Sequence, residues 1–133
     1  MIVTVSILRL ILCVFLITWE PMNVASEALG ALPTLPARGA LAIGELIGHA
    51  LIAMLTVAAA LALWNRSPHG VTLAVLGTAA STARTLQVLR STTLPHHTSP
   101  DLAPLFMVAA LGHALFWCAF LTRYEHQLTD HRA

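Results

Sequence analysis

The sequence predicts an all-α integral membrane protein, with four transmembrane helices in an up-down bundle that forms one domain over residues 1–133. Two observations carry this prediction. Of the residues, 57% are hydrophobic and only 10% are charged, and the mean hydropathy is +0.78, whereas about a quarter of a soluble domain is charged. Four apolar stretches each have the roughly 20 residues needed to cross a ~30 Å hydrocarbon layer as a helix.

The first predicted span covers residues 2–19 and contains Arg9. It lacks a basic leading segment, so we expect a retained helix rather than a cleaved signal peptide. Residues 20–39 are predicted to form a long outer loop. Apolar residues recur there at helical spacing, so part of it is either a short helix on the membrane surface or an ordered loop covering the bundle.

The remaining predicted spans cover residues 40–64, 71–89 and 102–121, and a tight turn over 65–70 joins the second to the third. Proline is expected only outside the span interiors, because it breaks backbone hydrogen bonds that lipid cannot replace. Pro104 fits this rule, since the first turn of a helix has no use for the missing N–H. The tail after residue 123 is predicted to extend the fourth helix weakly.

The placement of arginine predicts the orientation of the chain. With both termini cytoplasmic, the inner segments hold Arg66, Arg123 and Arg132, and the outer segments hold Arg38 and Arg90. Three arginines on the cytoplasmic side against two outside agree with the positive-inside tendency. We expect the protein to lie in the bacterial inner membrane. The formal net charge of +1 leaves no basic face for nucleic acid. The expected partners are the lipid bilayer and other membrane protein subunits.

Two histidines are the candidate cofactor-binding residues, because the tetrapeptide Gly-His-Ala-Leu occurs around both His49 and His113. Counted from the predicted span starts, these residues lie about 14 and 16 Å deep. In an up-down bundle the second and fourth helices run in the same direction, so the imidazoles are expected at one level. They would then ligate a haem b, bind a chlorophyll-type pigment, or hydrogen-bond neighbouring helices as structural groups.

Glu45 and Arg84 are predicted to form a structural ion pair, since both lie about five residues from the outer ends of their spans. Pairing lowers the cost of holding two charges inside a membrane. Glu45 is one helical turn before His49, so the alternative interpretation is a proton or quinone site beside that histidine.

Neither a catalytic site nor a metal site is predicted, because the chain has no CxxC, GxSxG, HExxH, P-loop or dinucleotide motif. Cys13 and Cys118 are interpreted as small hydrophobic residues. The leading functional hypothesis is an accessory subunit of a respiratory or photosynthetic membrane complex. The alternatives are a haem b electron carrier that uses the two histidines, and a small proton or solute transporter that uses Glu45, His49 and Arg84.

Overall fold

The computed structural model describes residues 2–31, 33, 35–90 and 101–129, and this part of the chain contains helices and turns but no strand. The all-α prediction is confirmed. In chain order the helices are α1 (Ile2–Ala31), α2 (Leu35–Trp64), α3 (Gly70–Arg90), α4 (Ala103–Arg123) and the short α5 (Glu125–Thr129).

Three of these helices have segments long and apolar enough to cross a membrane: Val5–Gly30 of α1, Ile43–Trp64 of α2 and Ala103–Arg123 of α4. They indicate an integral membrane protein in contact with lipid. Large apolar side chains on the outside of the molecule agree, because α4 exposes Leu105, Val108, Leu115 and Phe116. In water such a surface would be an aggregation hazard, whereas acyl chains cover it at no cost.

Helix α1 continues well past the predicted span end at Trp19, so the prediction of a loop beginning at Glu20 is wrong for residues 20–31. Pro21 lies inside α1 and inside its candidate span Val5–Gly30, which also corrects the expectation that proline stays outside the span interiors. Its missing N–H leaves the Ile17 carbonyl without the usual bond. Helices inside membranes accept such a break where neighbouring groups satisfy the backbone. Helix α1 continues past Pro21 to Ala31. Its acidic side chains, Glu20 and Glu27, reach the adjacent helices.

Helix α2 is interrupted at Gly39, whose φ of 61° and ψ of −151° are not helical. The apolar part of the helix follows this break, which is where the predicted second span begins. Helix α3 contains several hydroxyl side chains and two arginines, and it is not one of the three helices with spanning character. Residues 91–100, in the predicted outer loop before the fourth span, lie outside the described residues.

The apolar core lies at one end of the bundle and draws on all five helices. It contains Leu12 and Leu16 of α1, Ala60 and Leu63 of α2, Val71 and Ala74 of α3, Phe120 and Leu121 of α4, and Leu128 of α5. Cys13 belongs to this core as predicted, and its thiol donates to the Ala60 carbonyl at 3.6 Å. The polar side chains that α1, α2 and α3 bury lie in the other half of the bundle.

Two glycines set how closely α2 and α3 pack. A Cβ built on Gly70 would lie 3.0 Å from the carbonyl carbon of Ala62, and one on Gly77 would lie 3.3 Å from Cγ2 of Thr56. Only glycine fits the first position without moving backbone. The close approach brings polar residues of the two helices to the same side of the bundle.

Candidate functional site

His49 is the centre of a buried polar cluster, because a carboxylate lies at each of its ring nitrogens. Nε2 is 2.8 Å from Oε2 of Glu20, and Nδ1 is hydrogen-bonded to Oε2 of Glu27. The histidine is 6% exposed and Glu20 is 3% exposed. An imidazole donates to ionised carboxylates from both nitrogens only when it carries two protons.

The two carboxylates come from the part of α1 that lies beyond the first apolar stretch. Glu20 and Glu27 are seven residues apart, which places them on one face of the helix, two turns and about 10 Å from each other. Because α1 stays helical through Pro21, this face is turned towards α2 and α3. His49 lies between the two acids and contacts both.

Helix α3 contributes Ser81 and Arg84, which share a face because they are three residues apart. The Ser81 hydroxyl donates to Oε1 of Glu20, and Nη2 of Arg84 donates to Oε1 of Glu27 at 2.8 Å. Each carboxylate therefore has one bond from His49 and another from α3. This arrangement ties together three helices.

We call Glu20, Glu27, His49 and Arg84 the charge cluster. With both carboxylates ionised and His49 doubly protonated, two negative charges face two positive charges and the sum is zero. A neutral cluster is the cheapest way to hold ionisable groups within helices of spanning character, since an unpaired charge there is costly. The two ends of the cluster differ, because the Glu27 side chain is 23% exposed and that of Glu20 is 4% exposed.

A cavity of about 360 Å³ adjoins the buried end of the cluster and is lined by residues from all four long helices. We call it the interhelical cavity. Glu20, Ser81 and three threonines of α3 form a polar wall, and an apolar wall comes from α1 and α4. Its volume lies within the usual range of small-molecule sites in proteins.

His113 does not join the charge cluster. It lines the interhelical cavity, and its ring lies 4.9 Å from that of Phe15 and 6.2 Å from that of Trp117. His49 directs both nitrogens at α1 carboxylates, so it would have to give up one of them to ligate iron. The geometry gives no support to a haem shared by the two histidines.

Glu45 is not the partner of Arg84 in the structure, because Arg84 bonds to Glu27 instead. Glu45 lines a groove together with Gly44, Gly48, His49 and Arg84. The predicted pair rested on equal depths in the membrane and took no account of the α1 carboxylates, of which Glu27 bonds to Arg84.

Comparison with protein-family models, with curated proteins and with solved structures finds no match. The functional interpretation of this chain therefore rests on the geometry of its own residues. Of the cluster, His49 and Arg84 were candidates from the sequence. Glu20, Glu27 and Ser81 were missed, although the seven-residue spacing of the two acids is a signal that they share one face if the helix continues.

Proposed function

We propose that this chain is a small proton transporter of the membrane, in which His49 relays a proton between Glu27 and Glu20. One observation carries the proposal: His49 has a carboxylate at each ring nitrogen. An imidazole can release a proton from one nitrogen and accept one at the other, and ionisable chains of this kind mark proton pathways in membranes.

The direction of transfer follows from exposure. Glu27 is the more accessible acid, so a proton from water enters there, and Glu20 faces the interhelical cavity. Doubly protonated His49 gives its Nε2 proton to Oε2 of Glu20 and becomes neutral. Rotation of the ring then brings the unprotonated nitrogen to Glu27, where the incoming proton restores the imidazolium. Glu20 then releases its proton to water in the interhelical cavity and is ionised again, so one proton moves from water to the cavity in each cycle.

Arg84 keeps Glu27 available for this step. Its guanidinium is always charged and bonds to Oε1 of Glu27 at 2.8 Å, which leaves Oε2 for His49. The pair holds one carboxylate oxygen in a fixed position beside the ring. Arg84 thus orients the relay and balances its charge without exchanging a proton itself.

The proposed topology has four passes, with α3 crossing between α2 and α4 and both termini cytoplasmic. The apolar core supports it, since this core uses the early part of α1 and α3 but the late part of α2 and α4. Successive helices that alternate in direction bring those parts together. The charge cluster then lies towards the outer side, and the relay spans about 10 Å of the membrane depth.

Proton flux into vesicles tests this function. The purified protein would be reconstituted with a pH-sensitive dye inside, and a potassium diffusion potential would drive protons inwards. His49→Gln and Glu20→Gln should each reduce the initial rate by about tenfold or more, equivalent to at least ~1.4 kcal/mol on the barrier. Glu45→Gln is the matched control and should retain the rate. Equal rates in all four proteins would refute the relay.

The role of an accessory subunit is a second proposal, and one observation favours it. A Cβ built on Gly44 or Gly48 of α2 would meet nothing within 4 Å, so this helix face is open to close approach by a helix of another chain. Purification in a mild detergent tests the proposal. A partner protein should co-elute with the chain and be lost from Gly48→Leu; a monodisperse monomer that retains proton flux would contradict it.

A further inference from the structure

The interhelical cavity has chemically different walls. Its polar wall consists of Glu20, Thr56, Thr78, Ser81, Thr82 and Thr85, and the opposite wall is formed by aromatic rings, alanines and the imidazole of His113. A cavity of this kind suits an amphiphilic molecule, whose polar groups and apolar body each find a matching surface. The hydrogen bonds that the hydroxyls of the polar wall already make determine whether the polar end of such a molecule should donate or accept.

Nearly every hydroxyl proton of the polar wall is already engaged. Thr56, Thr82 and Thr85 donate to backbone carbonyls of their own helices at 2.9, 2.8 and 3.0 Å. Ser81 donates to Glu20. These oxygens therefore present lone pairs to the cavity, and the Glu20 carboxylate adds further acceptors. The wall is rich in acceptors and poor in donors.

Thr78 is the exception among the hydroxyls of this wall. It is 5% exposed and its Oγ1 has no hydrogen-bond partner. A buried hydroxyl without a partner costs free energy, and its presence in a native site calls for an unplaced group. Thr78 lines the cavity, and although its Oγ1 is covered by neighbouring atoms, a rotation about χ1 would turn the hydroxyl towards a bound molecule.

We propose that the interhelical cavity binds a small lipophilic phenol, with the phenolic hydroxyl donating to the Glu20 end of the wall. The donor of the phenol pairs with an acceptor-rich surface, and the phenolic oxygen accepts from Thr78. A neutral donor fits better than an ammonium group because His49 and Arg84 already balance the two carboxylates. A further cation would leave the buried site with an uncompensated charge.

The apolar wall fits the ring and tail of such a molecule. Phe15 and Trp19 stack with their ring centroids 5.5 Å apart and planes 17° from parallel. Ala109 and Ala110 of α4 leave a flat helix surface opposite, beside Phe106. Aromatic side chains favour offset stacking or edge contacts with another ring. A flat aromatic body therefore gains contact that an aliphatic alcohol would not.

This inference rests on the proposed function, since the phenol would bind beside Glu20, the proton acceptor of the relay, but binding is tested separately from flux. Titration calorimetry in detergent would compare para-hexylphenol with para-hexylanisole, which lacks the donor, and para-hexylbenzylamine, which is cationic. The ether has no donor and would leave buried acceptors of the cavity unpaired. The phenol should therefore bind at least about tenfold more tightly than the ether. Equal affinity of phenol and ether, tighter binding of the amine, or no binding of the phenol would each overturn the proposal.

Three variants show whether the phenol occupies this cavity. Thr78→Val removes the unpartnered hydroxyl, which can donate to the oxygen of the phenol and of the ether alike, and should weaken the binding of both several-fold. Ala110→Phe fills the cavity and should abolish binding of both. Ala119→Phe, on an exposed part of α4 outside the cavity, should bind the phenol like the unmodified chain. Undiminished binding by Ala110→Phe would mean that the phenol lies elsewhere, and would overturn the proposal.

The two proposals can fail independently. If the phenol binds with the expected preference but His49→Gln retains full proton flux, the cavity is a phenol site and the relay is wrong. If flux depends on His49 but the phenol does not bind, the relay stands and the ligand class is wrong.

Discussion

His49, Glu20 and Glu27 depend on one another for their stability. The buried Glu20 carboxylate accepts from both His49 and Ser81, so neutralising it leaves two cations opposite one anion. Removing one member of a buried ionic group is far more costly than removing a matched pair, because the remaining charge has lost its partner.

We therefore expect strong coupling between Glu20→Gln and His49→Gln. Each single variant should lower the free energy of unfolding, and the double variant should lose about 1–3 kcal/mol less than the sum of the two. Unfolding by sodium dodecyl sulfate in mixed micelles measures all four proteins. The pair Glu125→Gln and His49→Gln is the control and should be additive, because Glu125 is an exposed residue of α5. Additivity in the first pair would contradict the bond between Glu20 and His49.

At the level of residues, the sequence singled out the buried ionisable members of α2 and α3 but not the partners to which they bond in the structure. His49 and Arg84 are conspicuous because ionisable residues are rare in apolar stretches. Their partners were not predictable from local pattern, since Glu20 and Glu27 follow an apolar stretch that ends at Trp19, and a proline comes directly after Glu20. Such a pattern usually marks a loop.

At the level of the elements, glycine controls the approach of α2 to α3. A Cβ on Gly70 meets the backbone of Ala62 and Leu63 at 3.0 Å, while one on Gly112 of α4 meets nothing within 4 Å. A contact with backbone cannot be relieved by rotating a side chain. Adding a methyl group by substitution with alanine should therefore have opposite effects on stability at Gly70 and at Gly112.

Gly70→Ala should destabilise the protein by about 1–3 kcal/mol because α2 and α3 must move apart. Gly112→Ala should be neutral or should stabilise it by roughly 0.5–1 kcal/mol through helix propensity. The same unfolding titration measures both variants. Equal effects at the two positions would show that the helices do not approach closely at Gly70.

The helices themselves were the most predictable feature. Long apolar stretches fix where α2, α3 and α4 lie to within a few residues, except that α2 has an additional turn before Gly39. The course of α1 beyond Trp19 was not predictable, because tertiary bonds from α2 and α3 keep polar residues helical after Pro21. Helix propensity and hydropathy carry no information on such bonds.

At the scale of the whole molecule, the number of membrane crossings depends on whether α3 spans the bilayer. Helix α3 lacks the spanning character of the other long helices, yet it supplies Ser81 and Arg84 to the cluster. Ser81 and Arg84 bond to carboxylates of α1 rather than facing lipid, so a low hydropathy is compatible with a crossing in a packed bundle.

Cysteine labelling separates four passes from three. Ser67→Cys lies in the turn before α3, and Asp101→Cys lies just before α4; both would be made with Cys13 and Cys118 replaced by alanine. In intact cells, a membrane-impermeant maleimide should label Asp101→Cys and not Ser67→Cys. Opening the cells should make both reactive. Labelling of both positions from the same side would place α3 outside the bilayer.

The most direct test of the account is solid-state NMR on protein in lipid bilayers, with isotope-labelled histidine and glutamate. His49, assigned by comparison with a His49→Gln sample, should show two protonated ring nitrogens, one close to the carboxyl carbon of Glu20 and the other close to that of Glu27. A His49 ring with contact to only one carboxyl carbon, or to neither, would contradict the relay on which the proposed function depends.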